Sequence, residues 1–286
     1  MPTALVLGAP IAHSLSPVLH RAAYAALGLS DWRYDAAEVD EAAFVSFVAG
    51  LGPEVRGLSL TMPLKEVAFE VAETVSDRAR LAGAINTLVR TPTGWAADNT
   101  DIAGIVAALK AALPDDLRDL DLVHRRSRRT GLIVGAGATA RSAMIALAEL
   151  GCVRVTAAAR NPTKALASLS ALADRLNLEL TVRDLDYWQE SKAGFIVSTV
   201  PAAGGAVAAE ILARHLTNLS GVRMLDVVYA DWPTPLASAS HAAGATVVSG
   251  LDMLVHQAVE QVELMTGRRP DWRDLMEAGH AAVAAR

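Results

Sequence analysis

A glycine-rich turn between a strand and a helix is the feature that most constrains the fold. Residues 131–141 read GLIVGAGATAR, in which Gly135, Gly137 and Ala140 form a GxGxxA pattern between an apolar run and an alanine-rich one. Gly135 permits a tight turn, Gly137 lets the backbone approach a pyrophosphate, and Ala140 lets the helix pack closely on the sheet. The N–H groups and partial positive charge of the helix N-terminus favour that anion. The motif therefore predicts a doubly wound domain that binds a dinucleotide.

The end of the following strand predicts which dinucleotide the turn receives. Residues 157–164 read AAARNPTK, so Arg160 and Lys164 stand where an NAD site usually carries an acidic residue for the ribose 2′-hydroxyl. A 2′-phosphate needs positively charged donors, and arginine can bind it through two parallel hydrogen bonds. The alternative is an exposed arginine and lysine at the start of a surface helix. We favour NADP.

Short β-branched runs alternate with alanine- and leucine-rich stretches along most of the chain. The alternation is typical of α/β proteins with a mostly parallel sheet and helices on both faces. It predicts strands at residues 4–8, 32–36, 56–60, 131–134, 153–158, 178–182, 195–199, 224–228 and 246–248, and a hairpin from 85–89 and 94–97. It predicts helices at 17–27, 100–111, 252–266 and 271–284, and further helices between the strands that follow residue 131.

Composition and charge disfavour several other classes of protein. Hydrophobic residues make up 52% of the chain and charged residues 20%, which argues against disorder. The net charge of −5 disfavours a protein that binds nucleic acid by neutralising phosphates. The single cysteine, Cys152, excludes an internal disulfide, and no cysteine–histidine cluster predicts a metal site. We find neither a membrane span of about 20 apolar residues nor a basic targeting segment, so we expect a cytoplasmic protein.

Residues 114–130 form the one charge-dense segment of the chain. It is acidic first and then basic, and its arginines are Arg125, Arg126, Arg128 and Arg129. A solvated loop explains these arginines most simply, and contact with a phosphate-bearing ligand is the alternative.

Serines follow the first predicted strand, at an end where open α/β sheets bind ligands. Ser16 before Pro17 fits a helix N-cap followed by proline in the first turn, which by itself explains both residues. Ser14 has no such structural role in this interpretation. It therefore suggests a ligand with hydroxyl or carboxylate groups.

A lysine follows the third predicted strand in a similar place. Pro63 fits a first helical turn, which would put Lys65 near a helix N-terminus, where the macrodipole repels a cation. Such a lysine suits proton exchange better than a structural role. Asp98 or Asn99 could cap the later helix, and Asp101 is favoured in its first turn by the dipole alone. Pairing Lys65 with Asp101 would instead give an acid and its orienting partner.

Seven ordered motifs extend over essentially the whole chain. They are SLSP at 14–17, LTMPLKE at 60–66, GAINTL at 83–88, DNTDIAG at 98–104, GAGATAR at 135–141, YADWPTPL at 229–236 and SGLDMLVHQA at 249–258. Together they make the chain resemble the shikimate dehydrogenase family. The resemblance implies a reversible hydride transfer between NADPH and 3-dehydroshikimate that yields shikimate. The implied partners are small molecules rather than nucleic acid, membrane or metal, and the chain is expected to be a monomer or homodimer.

The resemblance also implies roles for individual residues. Lys65 would exchange the proton with the reacting oxygen, and Asp101 would hold both the lysine and a substrate hydroxyl. The residues implied in substrate binding are Ser14, Ser16 and Tyr229 for the carboxylate, and Thr61, Asn86 and Gln257 for the ring hydroxyls. Helix packing is the alternative role for Gln257, in a helix that Asp252 could cap. The residues implied in cofactor binding are Asp77, Gly135, Ala136, Gly137, Ala138, Thr139, Arg160, Asn161, Lys164, Val227 and Gly250, with Val227 and Gly250 beside the nicotinamide.

The predicted architecture has two domains. An N-terminal α/β substrate domain would comprise residues 1–103 and 251–286, and a Rossmann-like, doubly wound NADP-binding domain would comprise residues 104–250. A cleft would separate them, and hinge closure over the bound pair is expected because the chain crosses twice.

The sequence departs from the family pattern in three places. Ser59 stands where the family often has asparagine, Ser198-Thr199-Val200-Pro201 replaces Asn-Ala-Thr/Ser-Pro, and Ala97 replaces a frequent glycine. None of these changes removes a proposed catalytic group. Two other functions stay open at this point: a quinate/shikimate dehydrogenase that uses NAD, and a regulatory protein that binds NADP without catalysis.

Overall fold

The protein forms two compact α/β units in a computed structural model that describes residues 1–113, 130–215 and 217–285. The first unit comprises Met1–Asp101 and Leu254–Arg286, and the second comprises Ile102–Met253. The predicted α/β class is confirmed. The arginines of the charge-dense segment lie outside the described residues.

The first unit is built on a six-stranded sheet with the order β2-β1-β3-β5-β6-β4. Its strands are β1 (Thr3–Gly8), β2 (Arg33–Glu38), β3 (Val55–Leu60), β4 (Thr74–Val75), β5 (Thr87–Arg90) and β6 (Trp95–Asp98). Strands β1, β2 and β3 are parallel, whereas β5 runs antiparallel to both β3 and β6 and forms the predicted hairpin with β6. Its first helices are α1 (Ser16–Ala26), α2 (Glu41–Ala49) and α3 (Asp77–Ala82), and a 3-10 helix spans Val67–Glu70.

The second unit has a six-stranded sheet that is parallel throughout, in the order β12-β11-β10-β7-β8-β9. Its strands are β7 (Thr130–Val134), β8 (Arg154–Ala159), β9 (Glu179–Asp184), β10 (Phe195–Ser198), β11 (Arg223–Asp226) and β12 (Thr246–Val248). Its helices are α4 (Asp101–Ala111), whose first residue belongs to the first unit, α5 (Ala138–Glu149), α6 (Pro162–Arg175), α7 (Ala202–His215) and α8 (Pro235–Ala242). The strand order reverses between β7 and β10, which is the doubly wound arrangement that the glycine turn predicts.

Two helices complete the chain. Helix α9 (Gly250–Thr266) enters the first unit at Leu254, and α10 (Trp272–Ala284) packs there against α1. Each unit has its own apolar core, with Phe44 and Leu58 buried in the first and Trp188 and Ile196 buried in the second. No helix among the described residues is both long and apolar enough to cross a membrane.

Three elements were not predicted. Helix α2 begins after Asp40, whose side chain accepts the N–H of Ala43, and α3 begins after Ser76, whose hydroxyl accepts the N–H of Ala79. The third is the two-residue strand β4. These elements are short, and α2 is apolar on several sides, so its periodicity is weak. The predicted strand 224–228 ends earlier, at Asp226.

Candidate active site

Polar side chains gather at one edge of the sheet in the first unit. Strand β6 runs parallel to β3, because both are antiparallel to β5, and the three strands pair Ser59 with Thr87 and Thr87 with Asp98. The segments that follow β1, β3 and β6, and the segment that precedes β5, therefore leave the sheet at the same edge. They carry Ser14, Ser16, Thr61, Lys65, Asn86 and Asp101.

Lys65 and Asp101 form an ion pair at this edge. The Lys65 ammonium donates to Oδ2 of Asp101, and the two side chains are 14% and 1% exposed. The other carboxylate oxygen, Oδ1, accepts from the amide nitrogen of Asn86 at 2.7 Å. A largely buried lysine is thus fixed by a fully buried carboxylate, which leaves the ammonium able to exchange a proton with a ligand.

The predicted setting of Lys65 at a helix N-terminus is wrong. The chain turns through residues 62–66 after a cis Met62–Pro63 bond, and only a 3-10 helix follows, at Val67–Glu70. The carbonyl of Lys65 accepts the N–H of Ile85 at 2.8 Å. The position of Lys65 therefore depends on Asp101 and on this backbone bond rather than on a helix dipole.

Asn86 joins Asp101 to the start of α4. Its Oδ1 accepts the N–H of Thr100 at 2.8 Å, and its Nδ2 donates to the Thr100 hydroxyl at 2.9 Å as well as to Asp101. Asp98 and Asn99 have other partners: Asp98 accepts from the Ser76 hydroxyl at 2.6 Å, and the Asn99 amide donates to the carbonyl of Ala84 at 2.8 Å. Asn86 therefore positions the start of α4 and Asp101 together.

The structure corrects the prediction for the two serines. Helix α1 begins at Ser16 with Leu15 as its N-cap residue, and Leu15 makes no side-chain capping bond. It is Ser14 that has a structural contact, because its hydroxyl accepts the N–H of Ser16 at 3.3 Å. Ser16 is buried, and Pro17 lies in the first turn as predicted.

Two buried rings lie beside Ser16. The rings of His20 and Tyr34 stack at 3.9 Å, and Nδ1 of His20 lies 2.9 Å from the Ser16 carbonyl. Burial lowers the pKa of His20 to about 4, and the bond to Ser16 opposes this only in part. Burial also raises the pKa of Tyr34 far above its usual range, while hydrogen bonds with the Ser59 and Ser16 side chains oppose that rise. Both rings are therefore uncharged at neutral pH.

The other two ring-hydroxyl candidates are half-buried. Thr61 follows β3 directly, and its N–H donates to the carbonyl of Leu7 at 3.0 Å. Gln257 lies in the part of α9 that belongs to the first unit. The capping role considered for Asp252 is wrong, because the helix begins at Gly250 and Asp252 accepts the hydroxyl of Ser249 at 2.8 Å.

The glycine turn of the second unit lies at the topological switch point between β7 and β10. Gly135 has a φ of +121°, and a Cβ there would lie 2.3 Å from the Thr199 hydroxyl, so the position requires glycine. A Cβ at Gly137, the N-cap of α5, would meet nothing within 4 Å, which leaves its backbone open to a ligand. Ala140 is fully buried. Ala136, Ala138 and Thr139 complete the turn.

The segment after β8 carries the two basic residues that were predicted to bind the 2′-phosphate. Arg160 and Lys164 are both exposed, at the start of α6. Asn161 between them is the N-cap of α6 and accepts the N–H of Lys164 at 2.9 Å, which gives it a structural role of its own. The Ser168 hydroxyl of α6 donates to the carbonyl of Ala136 at 3.2 Å and so ties this helix to the glycine turn.

The segment after β11 is anchored by a buried carboxylate. Asp226 accepts from the Thr234 hydroxyl at 2.7 Å and from the N–H of Val228 at 3.3 Å. Burial raises the pKa of Asp226, and these bonds oppose the rise. Gly250 approaches the same segment so closely that a Cβ would lie 2.2 Å from the carbonyl oxygen of Val227.

These residues fit NADP. The open backbone at Gly137 and the N-terminus of α5 suit a pyrophosphate, and Arg160 and Lys164 offer the charge that a 2′-phosphate needs. Val227, half-buried Tyr229 and Gly250 lie in the same unit. Asp77, by contrast, lies in the first unit, exposed in the first turn of α3, where the helix dipole alone favours it.

Sequence reasoning missed a set of buried polar residues behind the ion pair. Gln261 of α9 bonds to the Ser59 hydroxyl at 2.9 Å and to the Thr87 hydroxyl at 3.0 Å, and the Tyr34 hydroxyl bonds to Ser59 at 2.6 Å. The sequence signal that could have identified Gln261 is its place beside Ala258 and Val262 in a predicted helix.

Comparison with known proteins adds an independent line of observation. The family models described as "Shikimate dehydrogenase substrate binding domain" and "Shikimate 5'-dehydrogenase C-terminal domain" match residues 6–88 and 250–278. The shikimate dehydrogenase (NADP(+)) of Methylobacterium radiotolerans is 39% identical over 276 residues, which are 94% of this chain and 93% of that protein. That of Caulobacter vibrioides is 37% identical and covers 93% of this chain and 90% of its own.

Solved structures give the same result. Shikimate dehydrogenase from Mycobacterium tuberculosis superposes with a TM-score of 0.83 at 42% identity, covering 99% of this chain and 100% of that chain. Shikimate 5-dehydrogenase from Thermus thermophilus, solved in complex with NADP(H) and shikimate, superposes with a TM-score of 0.78 at 30% identity and covers the same shares.

Proposed function

The chain belongs to the shikimate dehydrogenase family, and on that premise we propose that Lys65 and Asp101 are its catalytic pair. The enzyme catalyses the reversible, NADP-dependent reduction of 3-dehydroshikimate to shikimate. The observation that carries the proposal is the buried ion pair itself, held on its far side by Asn86 at the edge where the strands end.

Lys65 exchanges the proton on the reacting oxygen. In the oxidation of shikimate the alcohol becomes a ketone, so its oxygen must lose a proton as the carbon loses a hydride. NADP, when bound, accepts or supplies that hydride. In this direction Lys65 acts as the neutral amine, and its Nζ receives the proton and becomes the ammonium. In the other direction the ammonium returns the proton to the oxygen, and Asp101 keeps Nζ aimed at that oxygen in both. Proton transfer of this kind contributes roughly 10²–10⁴-fold to a rate.

Six other polar residues bind the substrate in this proposal. We assign Ser14 and Ser16, with Tyr229, to its carboxylate and Thr61, Asn86 and Gln257 to its ring hydroxyls. The two N–H groups of the Asn86 amide already donate to Thr100 and Asp101, so Asn86 binds a hydroxyl by exchanging one of these bonds. A substrate analogue that lacks a hydroxyl leaves such a buried partner unpaired, which is a strong source of specificity.

The second unit holds the cofactor in this proposal, and the first unit holds the substrate. The turn from Gly135 to Thr139 receives the pyrophosphate, and Arg160 and Lys164 bind the 2′-phosphate. Val227 and Gly250 would lie beside the nicotinamide, and Asn161 and Asp77 would be auxiliary contacts. We also propose a cytoplasmic location and a monomer or homodimer, because the reaction requires only small-molecule partners.

Initial rates of NADP⁺ reduction by shikimate test the catalytic pair. Lys65→Met and Asp101→Asn should each lower kcat by roughly 10²–10⁴-fold, while calorimetry still detects shikimate binding. Lys110→Met is the matched control, because Lys110 is exposed in the last turn of α4 and should leave kcat unchanged. Wild-type kcat in the Lys65→Met variant would refute the assignment.

A further inference from the structure

We propose that Gln261 is a positioning residue for this reaction, acting through Thr87 and Asn86 on the catalytic pair. Its side chain is 1% exposed, and it bonds to the Ser59 hydroxyl, the Thr87 hydroxyl and the carbonyl of Asn86. The inference rests on the proposed roles of Lys65 and Asp101. We call Tyr34, Ser59, Gln261, Thr87 and Asn86 the buried network.

Backbone groups determine the orientation of both amides in the buried network. The carbonyl of Asn86 can only accept, so the nitrogen of Gln261 faces it, at 3.3 Å, and donates to the Thr87 hydroxyl at 3.0 Å. The N–H of Thr100 can only donate, so Oδ1 of Asn86 faces it, at 2.8 Å. Neither amide can be reversed without opposing two like groups.

The hydroxyl protons follow from these two orientations. Oε1 of Gln261 accepts from Ser59 at 2.9 Å, and Ser59 therefore accepts from Tyr34 at 2.6 Å. The Thr87 hydroxyl accepts from Nε2 of Gln261 and donates its own proton to Oδ1 of Asn86, at 2.8 Å. The hydrogen bonds consequently run in one direction, from Tyr34 to Asn86.

The last hydrogen bond of the buried network joins Asn86 to Asp101 of the catalytic pair. With Oδ1 of Asn86 held by Thr87 and Thr100, its Nδ2 is directed at Oδ1 of Asp101, at 2.7 Å. That contact leaves Oδ2 of the carboxylate for the ammonium of Lys65. Gln261 thus fixes, through two intermediates, the angle at which the catalytic carboxylate holds its lysine.

The same contacts indicate that Gln261 matters more for orientation than for folding. The carbonyl of Asn86 also accepts the N–H of Leu60 at 2.8 Å, so it stays bonded if Gln261 is removed. Methionine has nearly the volume of glutamine and no hydrogen-bonding amide, and the neighbouring α9 side chains of Ala258 and Val262 are apolar and buried. Gln261→Met therefore removes the hydrogen bonds that orient the buried network, while the methionine side chain fills the same space.

Steady-state kinetics with shikimate and NADP⁺ test the proposal. Gln261→Met should lower kcat by about tenfold and change the KM for shikimate by less than about threefold, since a misaligned catalytic group slows the reaction more than it weakens binding. Thr87→Val should have the same effect, because it is isosteric and lacks the hydroxyl. Thr87→Ser retains the hydroxyl and should restore kcat to within about twofold of wild type.

Tyr24→Phe is the matched control. Tyr24 is a buried tyrosine near Tyr34, and its hydroxyl has no hydrogen-bond partner among the described residues, so its removal should leave kcat and KM unchanged. The proposal is overturned if Gln261→Met and Thr87→Val keep wild-type kcat, or if Thr87→Ser is as slow as Thr87→Val. Should Gln261→Met fail to fold, the two Thr87 variants decide the question.

The kcat of Asp101→Asn is measured in the same series as a test of the catalytic pair. If Asp101→Asn lowers kcat and the variants of the buried network do not, only the positioning role of Gln261 fails. If Asp101→Asn has wild-type kcat, the proposed catalytic pair itself fails.

Discussion

His20 should make the stability of the protein depend on pH. Its ring is fully buried, and Nδ1 must carry the proton because its partner, the Ser16 carbonyl, can only accept. Nε2 has no hydrogen-bond partner among the described residues. The fold therefore keeps this histidine neutral, whereas in the unfolded chain it takes up a proton below its ordinary pKa of 6.5.

The size of the effect follows from the shift of the pKa. Burial lowers the pKa of His20 from 6.5 to about 4, and one pKa unit corresponds to about 1.4 kcal/mol. The contribution to the free energy of unfolding is complete above pH 6.5 and is lost as the pH falls toward 4, a total of about 3 kcal/mol. The free energy of unfolding falls at low pH because the unfolded state binds a proton that the folded state does not.

His20→Phe removes the titration and keeps a ring against Tyr34. We expect the difference in unfolding free energy between this variant and wild type to move by about 3 kcal/mol in favour of the variant as the pH falls through this window. Urea unfolding followed by circular dichroism, repeated across that range, measures it. His280→Gln, at an exposed position, is the control and should run parallel to wild type. Parallel curves for His20→Phe would refute the reasoning.

Three further predictions concern the second unit. Arg160→Gln should raise the KM for NADP⁺ by roughly 10–100-fold and leave that for NAD⁺ unchanged, because it removes charge-assisted hydrogen bonds to the 2′-phosphate. Gly135→Ala places a Cβ against the Thr199 hydroxyl at a φ of +121°, so calorimetry should detect NADP⁺ binding at least about tenfold weaker, with shikimate binding unchanged. Asp226→Asn should gain melting temperature relative to wild type as the pH rises above 3.8, because burial raises the pKa of this carboxyl and its ionisation in the fold is unfavourable.

Each of these predictions has a control or a contradicting result. Arg154→Gln replaces an exposed arginine at the other end of β8 and should leave both cofactor constants unchanged. An equal loss of NADP⁺ and NAD⁺ binding in Arg160→Gln would mean that the residue does not read the 2′-phosphate. Wild-type NADP⁺ affinity in Gly135→Ala, or a constant melting difference in Asp226→Asn, would contradict the other two.

The elements with a strong local signal could be predicted from the sequence. The strand, turn and helix at 130–149 follow from apolar periodicity and from a glycine that must adopt a positive φ. Helix α2 did not follow, because Phe44 and Val48 are buried while Val45 on another side is also apolar, and the capping residue Asp40 was the only clear sign. A pattern of one polar and one apolar face was absent there.

Some residues of the candidate site could likewise be predicted from the sequence, and others could not. Lys65 and Asp101 stand out because each is an ionisable residue at a strand end, and their pairing could be proposed before the structure. The roles expected of Ser14 and Ser16 in starting α1 were wrong, because Ser16 is already the first helical residue and the Ser14 hydroxyl accepts the N–H of Ser16. Gln261 bonds to residues about 175 positions earlier in the chain, and no local pattern encodes such a pairing.

A structure of the enzyme with shikimate and NADP⁺ bound tests the central claim most directly. The account predicts that Nζ of Lys65 lies within about 2.6–3.2 Å of the substrate hydroxyl that is oxidised, while it still contacts Asp101. An Nζ directed away from that hydroxyl, with another ionisable side chain in contact with the oxygen, would contradict it.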